Sequence, residues 1–198
     1  MRKEMVLALM SDMKPHQWMS YEDAIVAKYK GLVSWELGDS DSLFRGGHSR
    51  VTGLRSTIEV KSVIVIDSTA KYRRVVPPLT NRNLFIRDLN TCSYCGRLAT
   101  ERLILTRDHI VPVSKGGKDT WSNTTAACKR CNNLKDDKLL HETELELKWA
   151  PYTPDRNEHL IMQNRNILVD QAKFILDFVP DHSRMKQLMS RKFGEMLD

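Results

Sequence analysis

The chain has 198 residues, 41% hydrophobic and 28% charged, a globular composition that excludes wholesale disorder. The apolar run Met5 to Met10 is too short for a secretory core of roughly 7–15 residues and far below the ~20 of a membrane span, so a cytoplasmic protein with no membrane partner is expected. Thirty-one Lys and Arg against 25 Asp and Glu leave a net +6, which permits a polyanionic partner without identifying one.

In chain order, Ser20 precedes Tyr21-Glu22-Asp23 and can accept a hydrogen bond from the first helical turn, so a helix is expected from there to Lys30-Gly31. The stretch from Trp35 to Gly53 is polar, with glycines at 38, 46 and 47, and reads as loop. Ile58 to Ile66 begins with alternation and ends in a β-branched run, which predicts a strand. Lys71 to Arg87 is basic, Pro77-Pro78 keeps its centre extended, and Asn83 to Asp88 forms a short helical turn. Asp155 to Phe178 spaces its apolar residues for one amphipathic helix or two broken near Asn164, with Val179-Pro180-Asp181 as a stop. A last helix, Ser183 to Leu197, is expected to have one exposed face and to be marginal alone. No period of 20–50 residues repeats, which argues against a solenoid.

The charge is unevenly placed. Residues 1–44 carry −2, residues 45–87 carry +7, residues 88–140 carry +3 and residues 141–198 carry −2. The four cysteines sit in the third segment, as Cys92-Ser-Tyr-Cys95 and Cys128-Lys-Arg-Cys131. A two-residue gap lets both thiolates of a knuckle reach one tetrahedral ion, and two knuckles complete a closed four-sulfur, structural zinc site. A redox pair would need only one such knuckle. Between them, the sequence reads as a strand ending in Asp108-His109, a loop turned by Gly116 and Gly117, a second strand, and a helix starting near the second knuckle. Asp108 and Asn132 are hard oxygen donors suited to Mg²⁺ or Mn²⁺. His109, with an unperturbed pKa of ~6.5, suits a general base.

The ordered motifs C-x-x-C-G, D-H-I-x-P-x-S-x-G-G, W-x-N and C-x-x-C-N-x-x-K over residues 92–135 resemble the HNH endonucleases, the zinc-braced ββα-metal nucleases of bacteria and phages. The resemblance implies an α+β fold. Its parts would be an N-terminal α/β segment (1–70), a basic connector (71–87), an HNH core with a four-cysteine zinc site (88–140) and a helical tail (141–198). It implies that Asp108 and Asn132 hold a catalytic Mg²⁺ or Mn²⁺, that His109 deprotonates the attacking water, and that Asn123 fixes the loop and orients His109. Asn132 stands where the family's name-giving pattern ends in His, which makes this an HNN variant and bears on metal preference.

The implied activity is hydrolysis of double-stranded DNA to a 5′-phosphate and a 3′-hydroxyl; a zinc-stabilised DNA-binding module without cleavage is the alternative. Arg73, Arg74, Arg82 and Arg87 are the candidates to track phosphate, while Arg107 and Lys135 flank the site and stay outside the catalytic set. The tail leaves dimerisation and DNA contact both open. Nothing in the sequence reveals a recognition site, the choice between nicking and double-strand cleavage, or the biological role.

Overall fold

The computed structural model describes residues 5–67, 75–164 and 166–197, which divide into two compact units. Of the described residues, the first comprises 5–67, 163–164, 166–181 and 186–197, and the second comprises 75–162 and 182–185.

In the first unit, strands β1 (Val6–Leu9), β2 (Pro15–Met19), β3 (Val33–His48) and β4 (Arg55–Ile66) form a mixed sheet in the order β2-β1-β4-β3. The β1 and β4 strands are parallel, pairing Leu7 with Val63 and Leu9 with Val65, and the other pairs are antiparallel. Helix α1 (Tyr21–Tyr29) starts as expected, with Ser20 Oγ accepting from Asp23 N at 3.1 Å. It buries Tyr21 and Ala24 against Val6, Ala8, Val60 and Ile64. Leu7, Leu9, Val63 and Val65 are buried as well, so the centre of the sheet is covered on both faces and its strands read as continuous apolar runs.

The expected strand at 58–66 is present and starts three residues earlier, whereas the expected loop at 35–53 is strand as far as His48. The glycines responsible for the loop reading sit at irregularities of the ladder. The register shifts between Leu37 and Asp41, around Gly38 at φ +96°, and again between Arg45 and His48, around Gly46 and Gly47. Glycine inside a strand marks such bulges as readily as it marks a loop, and the pairing with β4 supplies the hydrogen bonds that local propensity does not.

In the second unit, Thr80 caps α2 (Asn81–Arg87) by accepting from Asn83 N, slightly ahead of the expected turn. Strands β5 (Leu105–His109) and β6 (Thr124–Cys128) pair antiparallel, and α3 (Lys129–Lys135) follows directly. This is the strand–loop–strand–helix order read from the sequence. One apolar cluster holds Cys92, Tyr94, Leu105, Ala126, Ala127, Cys128 and Cys131; another holds Leu84, Trp121, Met162 and Met185.

A buried ion pair braces the same unit. Arg87 and Asp88 are both fully inaccessible and joined by two bonds, Nε–Oδ1 at 2.9 Å and Nη2–Oδ2 at 3.0 Å. The remaining guanidinium hydrogens go to the carbonyls of Trp121, Tyr152 and Thr124, while Asp88 Oδ2 accepts from Ala126 N on β6. A buried charge pair is tolerable only with its polar atoms satisfied in this way. The tail forms α4 (Arg156–Gln163) and α5 (Val169–Leu176), two helices interrupted at Asn164, then α6 (Arg184–Leu197). None of the described helices is long and apolar enough to cross a membrane.

Candidate active site

The two knuckles are brought together by the β5–β6 pair and the start of α3. Cys92 O accepts from Gly96 N at 2.8 Å, closing the first knuckle, and Gly96 takes φ +73°, a conformation that favours glycine. Ser93 N and Oγ both donate to Ala126 O, tying that knuckle to β6. The four Sγ atoms lie within 4.8 Å of one another, with Cys95 and Cys128 at 3.9 Å. A tetrahedral four-sulfur zinc site with bonds of ~2.3 Å requires sulfur–sulfur separations of about 3.8 Å, so the donor set fits zinc. Desolvation raises the Cys95 thiol, but hydrogen bonds from Arg97, Cys92 and Cys131 outweigh it and bring the thiol down to about 6. Burial pushes Cys92 and Cys131 up.

The β5 strand ends on the candidate catalytic pair. Asp108 is 5% exposed, and its carboxylate accepts from the Tyr94 hydroxyl at Oδ2 and from Lys135 Nζ at Oδ1, 3.3 Å. Desolvation, and then the Asp108 carboxylate, raise the Tyr94 phenol well above its ordinary range, so it stays protonated and donates. Lys135 is fully buried and donates also to His109 O at 2.7 Å.

His109 is half-buried. Its Nε2 lies 3.0 Å from Asp119 Oδ1, and Arg107 Nη1 holds both oxygens of that same carboxylate at 2.9 and 2.7 Å. Desolvation raises the Asp119 carboxyl, but bonds and charge from Arg107 and His109 prevail and set it below its usual value. With Nε2–H donated to Asp119, the neutral imidazole carries its lone pair on Nδ1.

Asn123 precedes β6 and secures the intervening loop. Its Oδ1 accepts from Val111 N at 2.9 Å, and its Nδ2 donates to the carbonyls of Val111 and Lys118. No hydrogen bond joins its side chain to His109 among the described residues. In the same loop Gly116 takes φ +85°, and a Cβ on Gly117 would collide with Val111 O, so both glycines are needed there.

Residues 92–138 match the family model for HNH endonucleases. The chain carries an HNH domain. No curated protein matches the chain. The domain is of nuclease type, a family that acts on DNA, and its four thiols lie close enough together to hold one metal ion.

Asp108 and Asn132 have these hydrogen-bond partners. A carboxylate has about four acceptor positions, and Tyr94 and Lys135 occupy two on Asp108. Asn132 Nδ2 donates to Thr106 Oγ1 at 2.9 Å and to Arg107 O at 3.4 Å, leaving Oδ1 with no bond from a described residue. Asn132 and Lys135 lie three apart on α3 and both reach β5, so Asn132 is directed to the strand that bears Asp108. Both side chains thus keep oxygen-donor capacity of the kind Mg²⁺ or Mn²⁺ takes, with the Lys135 ammonium beside one of the Asp108 oxygens.

The candidate phosphate-contacting arginines divide differently. Arg82 is exposed on α2. Arg73 and Arg74 lie outside the described residues. Arg87 must be withdrawn: its guanidinium is sealed in the Asp88 pair and three carbonyls and cannot face a backbone phosphate. The sequence reading missed Asp119 and Tyr94, which touch the catalytic candidates from the loop and from the first knuckle. Asp119 carried a weak signal, an acid in a basic segment two residues beyond the glycine pair.

Proposed function

We propose that the HNH domain hydrolyses phosphodiester bonds of double-stranded DNA, with His109 as general base. The observation that carries this reading is the Arg107–Asp119–His109 chain, which orients an imidazole with its Nδ1 lone pair available, next in sequence to the hard donor Asp108. His109 would take a proton from water as the oxygen attacks phosphorus. The P–O3′ bond breaks, leaving a 5′-phosphate, and the departing oxygen is protonated from solvent to a 3′-hydroxyl. A divalent ion held by Asp108 and Asn132 would supply Lewis-acid stabilisation of the charge on the phosphate and the leaving oxygen. Tyr94 and Lys135 hold the Asp108 carboxylate, and Asn123 keeps the loop bearing Asp119 in register. The cysteines would brace this arrangement around structural zinc.

The test is nicking of supercoiled plasmid by the zinc-loaded chain with added Mg²⁺ or Mn²⁺. His109→Ala is expected to lower the rate at least about 10²-fold while zinc content and melting stay native. Wild-type rates from that variant would overturn the assignment. Metal-independent binding of DNA with no nicking by the wild type would instead favour a non-catalytic binding module.

A further inference from the structure

The β3–β4 pair continues past the rest of its sheet. The β1 strand accompanies β4 only along Val63–Val65, whereas β3 and β4 stay paired out to His48 opposite Arg55. Arg55 to Glu59 are exposed, and burial begins at Val60. Phe44, opposite Ile58, still packs on Tyr21 of α1, and Lys28 Nζ donates to Glu59 O, so the free arm starts at Arg45 and Thr57. The three residues from Arg55 to Thr57, at ~3.4 Å each, carry it about 10 Å before the turn is added. The turn is ordered: Ser49 N donates to Leu54 O at 2.8 Å, Gly53 N to Ser49 O at 2.9 Å, and Ser49 Oγ accepts from Val51 N and Thr52 N.

The chemistry of the arm is one-sided. Residues 45–58 contain Arg45, Arg50 and Arg55, with no Asp or Glu. Arg45 lies opposite Thr57, and Arg55 is two residues from Thr57 on the same strand, so Arg45 and Arg55 share a face. Phe44 and Ile58, paired opposite one another, lie on the other face. Arg55 Nε spends one donor on Gly46 O at 3.0 Å, which holds its exposed guanidinium across the ribbon and leaves its terminal nitrogens without a bond to the described residues. Gly46, Gly47, Ser49, Gly53 and Ser56 keep the arm slim, and Val51 and Leu54 are 94% and 72% exposed at its end.

We propose that this arm is a second DNA-binding element, a β-ribbon that enters the major groove of duplex DNA. A major groove about 12 Å wide and 8.5 Å deep admits a two-stranded ribbon, and an arm of this reach spans that depth. The three arginines meet phosphates or guanine edges, and Val51 and Leu54 supply apolar contact of the kind thymine methyl groups accept. From Arg45 and Thr57 outward the exposed ribbon holds three positive charges and no negative one, which suits a polyanion, and its narrowness suits a groove. The inference rests on DNA as the substrate of the HNH domain and adds the surface that would hold it.

The experiment measures binding of the full zinc-loaded chain to a labelled 30-bp duplex across a salt series, beside plasmid nicking at saturating DNA. Combined Arg45→Ala, Arg50→Ala and Arg55→Ala should weaken binding at least tenfold and lower the log–log salt slope by about 2–3, at ~0.9 for each phosphate no longer neutralised. Nicking at saturation should be unchanged. An Arg45→Ala, Arg50→Ala pair keeps the Arg55–Gly46 bond and guards against a folding defect; it should show about two-thirds of that change in slope. Native affinity and slope in both variants would overturn the ribbon while leaving the nuclease reading intact, provided the wild type nicks. Loss of binding to phosphatidylserine vesicles with unchanged DNA affinity would overturn it in favour of a membrane. Wild-type chain that binds duplex through these arginines yet never nicks would sink the nuclease reading alone.

Discussion

Two antiparallel strand pairs bear the charged chemistry of this protein, and they are stabilised in opposite ways. The β5–β6 pair is only five residues on each strand, and β6 is buried along its whole length. Around it lie the buried pairs Arg87–Asp88 and Lys135–Asp108, an apolar cluster with Leu105, and at its end a four-thiol cluster in which Cys95 is partly exposed. The β3–β4 pair runs to 16 and 12 residues, is rooted in an apolar sheet, and leaves its far end exposed. The short pair combines a small apolar cluster with satisfied buried charge pairs and four thiols placed to share one metal ion. A long arm needs only its ladder and a firm root.

Breaking the metal cluster should have the largest effect. Cys92→Ser, or chelation with EDTA, is expected to abolish zinc binding and the cooperative melting of residues 92–138, because metal-binding energy is folding energy in a site of this size. Retention of a native melting transition after zinc loss would refute the brace. Next comes the ion pair. Arg87→Ala strands the buried Asp88 carboxylate and should cost about 3–5 kcal/mol, seen as a lower denaturation midpoint of the same unit; a change below about 1 kcal/mol would mean that water replaces the guanidinium there.

At the root of the other pair, Leu7→Ala removes a fully buried side chain beside Val63 and should cost about 2–5 kcal/mol. Zinc stoichiometry should stay native, and a loss of zinc with this change would show that the two pairs are not independently stabilised. The smallest effect on stability belongs to Asp119→Asn, since Asp119 is largely exposed; melting should shift by less than about 0.5 kcal/mol. Its nicking rate should nevertheless fall about tenfold through kcat with KM held, because the amide loses the charge that orients His109. Undiminished kcat would remove Asp119 from the site.

The sequence by itself determined what is local and spaced. The knuckles, the Asp108-His109 step, the Gly116-Gly117 turn, the Ser20 cap and the strand at 58–66 depend on neighbours within a few residues or on a motif whose order is its meaning, and all are legible in one dimension. The tertiary structure decided what depends on a distant partner. Whether a glycine-bearing polar stretch is loop or strand rests on β4 offering a ladder to it, so residues 35–48 read as loop until that pairing is seen. Whether an arginine faces solvent or a buried carboxylate rests on what closes over it, so Arg82 and Arg87, five residues apart in one basic run, have opposite environments. Asp119 and Tyr94 reach His109 and Asp108 only because the loop and the first knuckle fold back on β5. Charge can be counted along a chain, but its accessibility follows from three-dimensional burial.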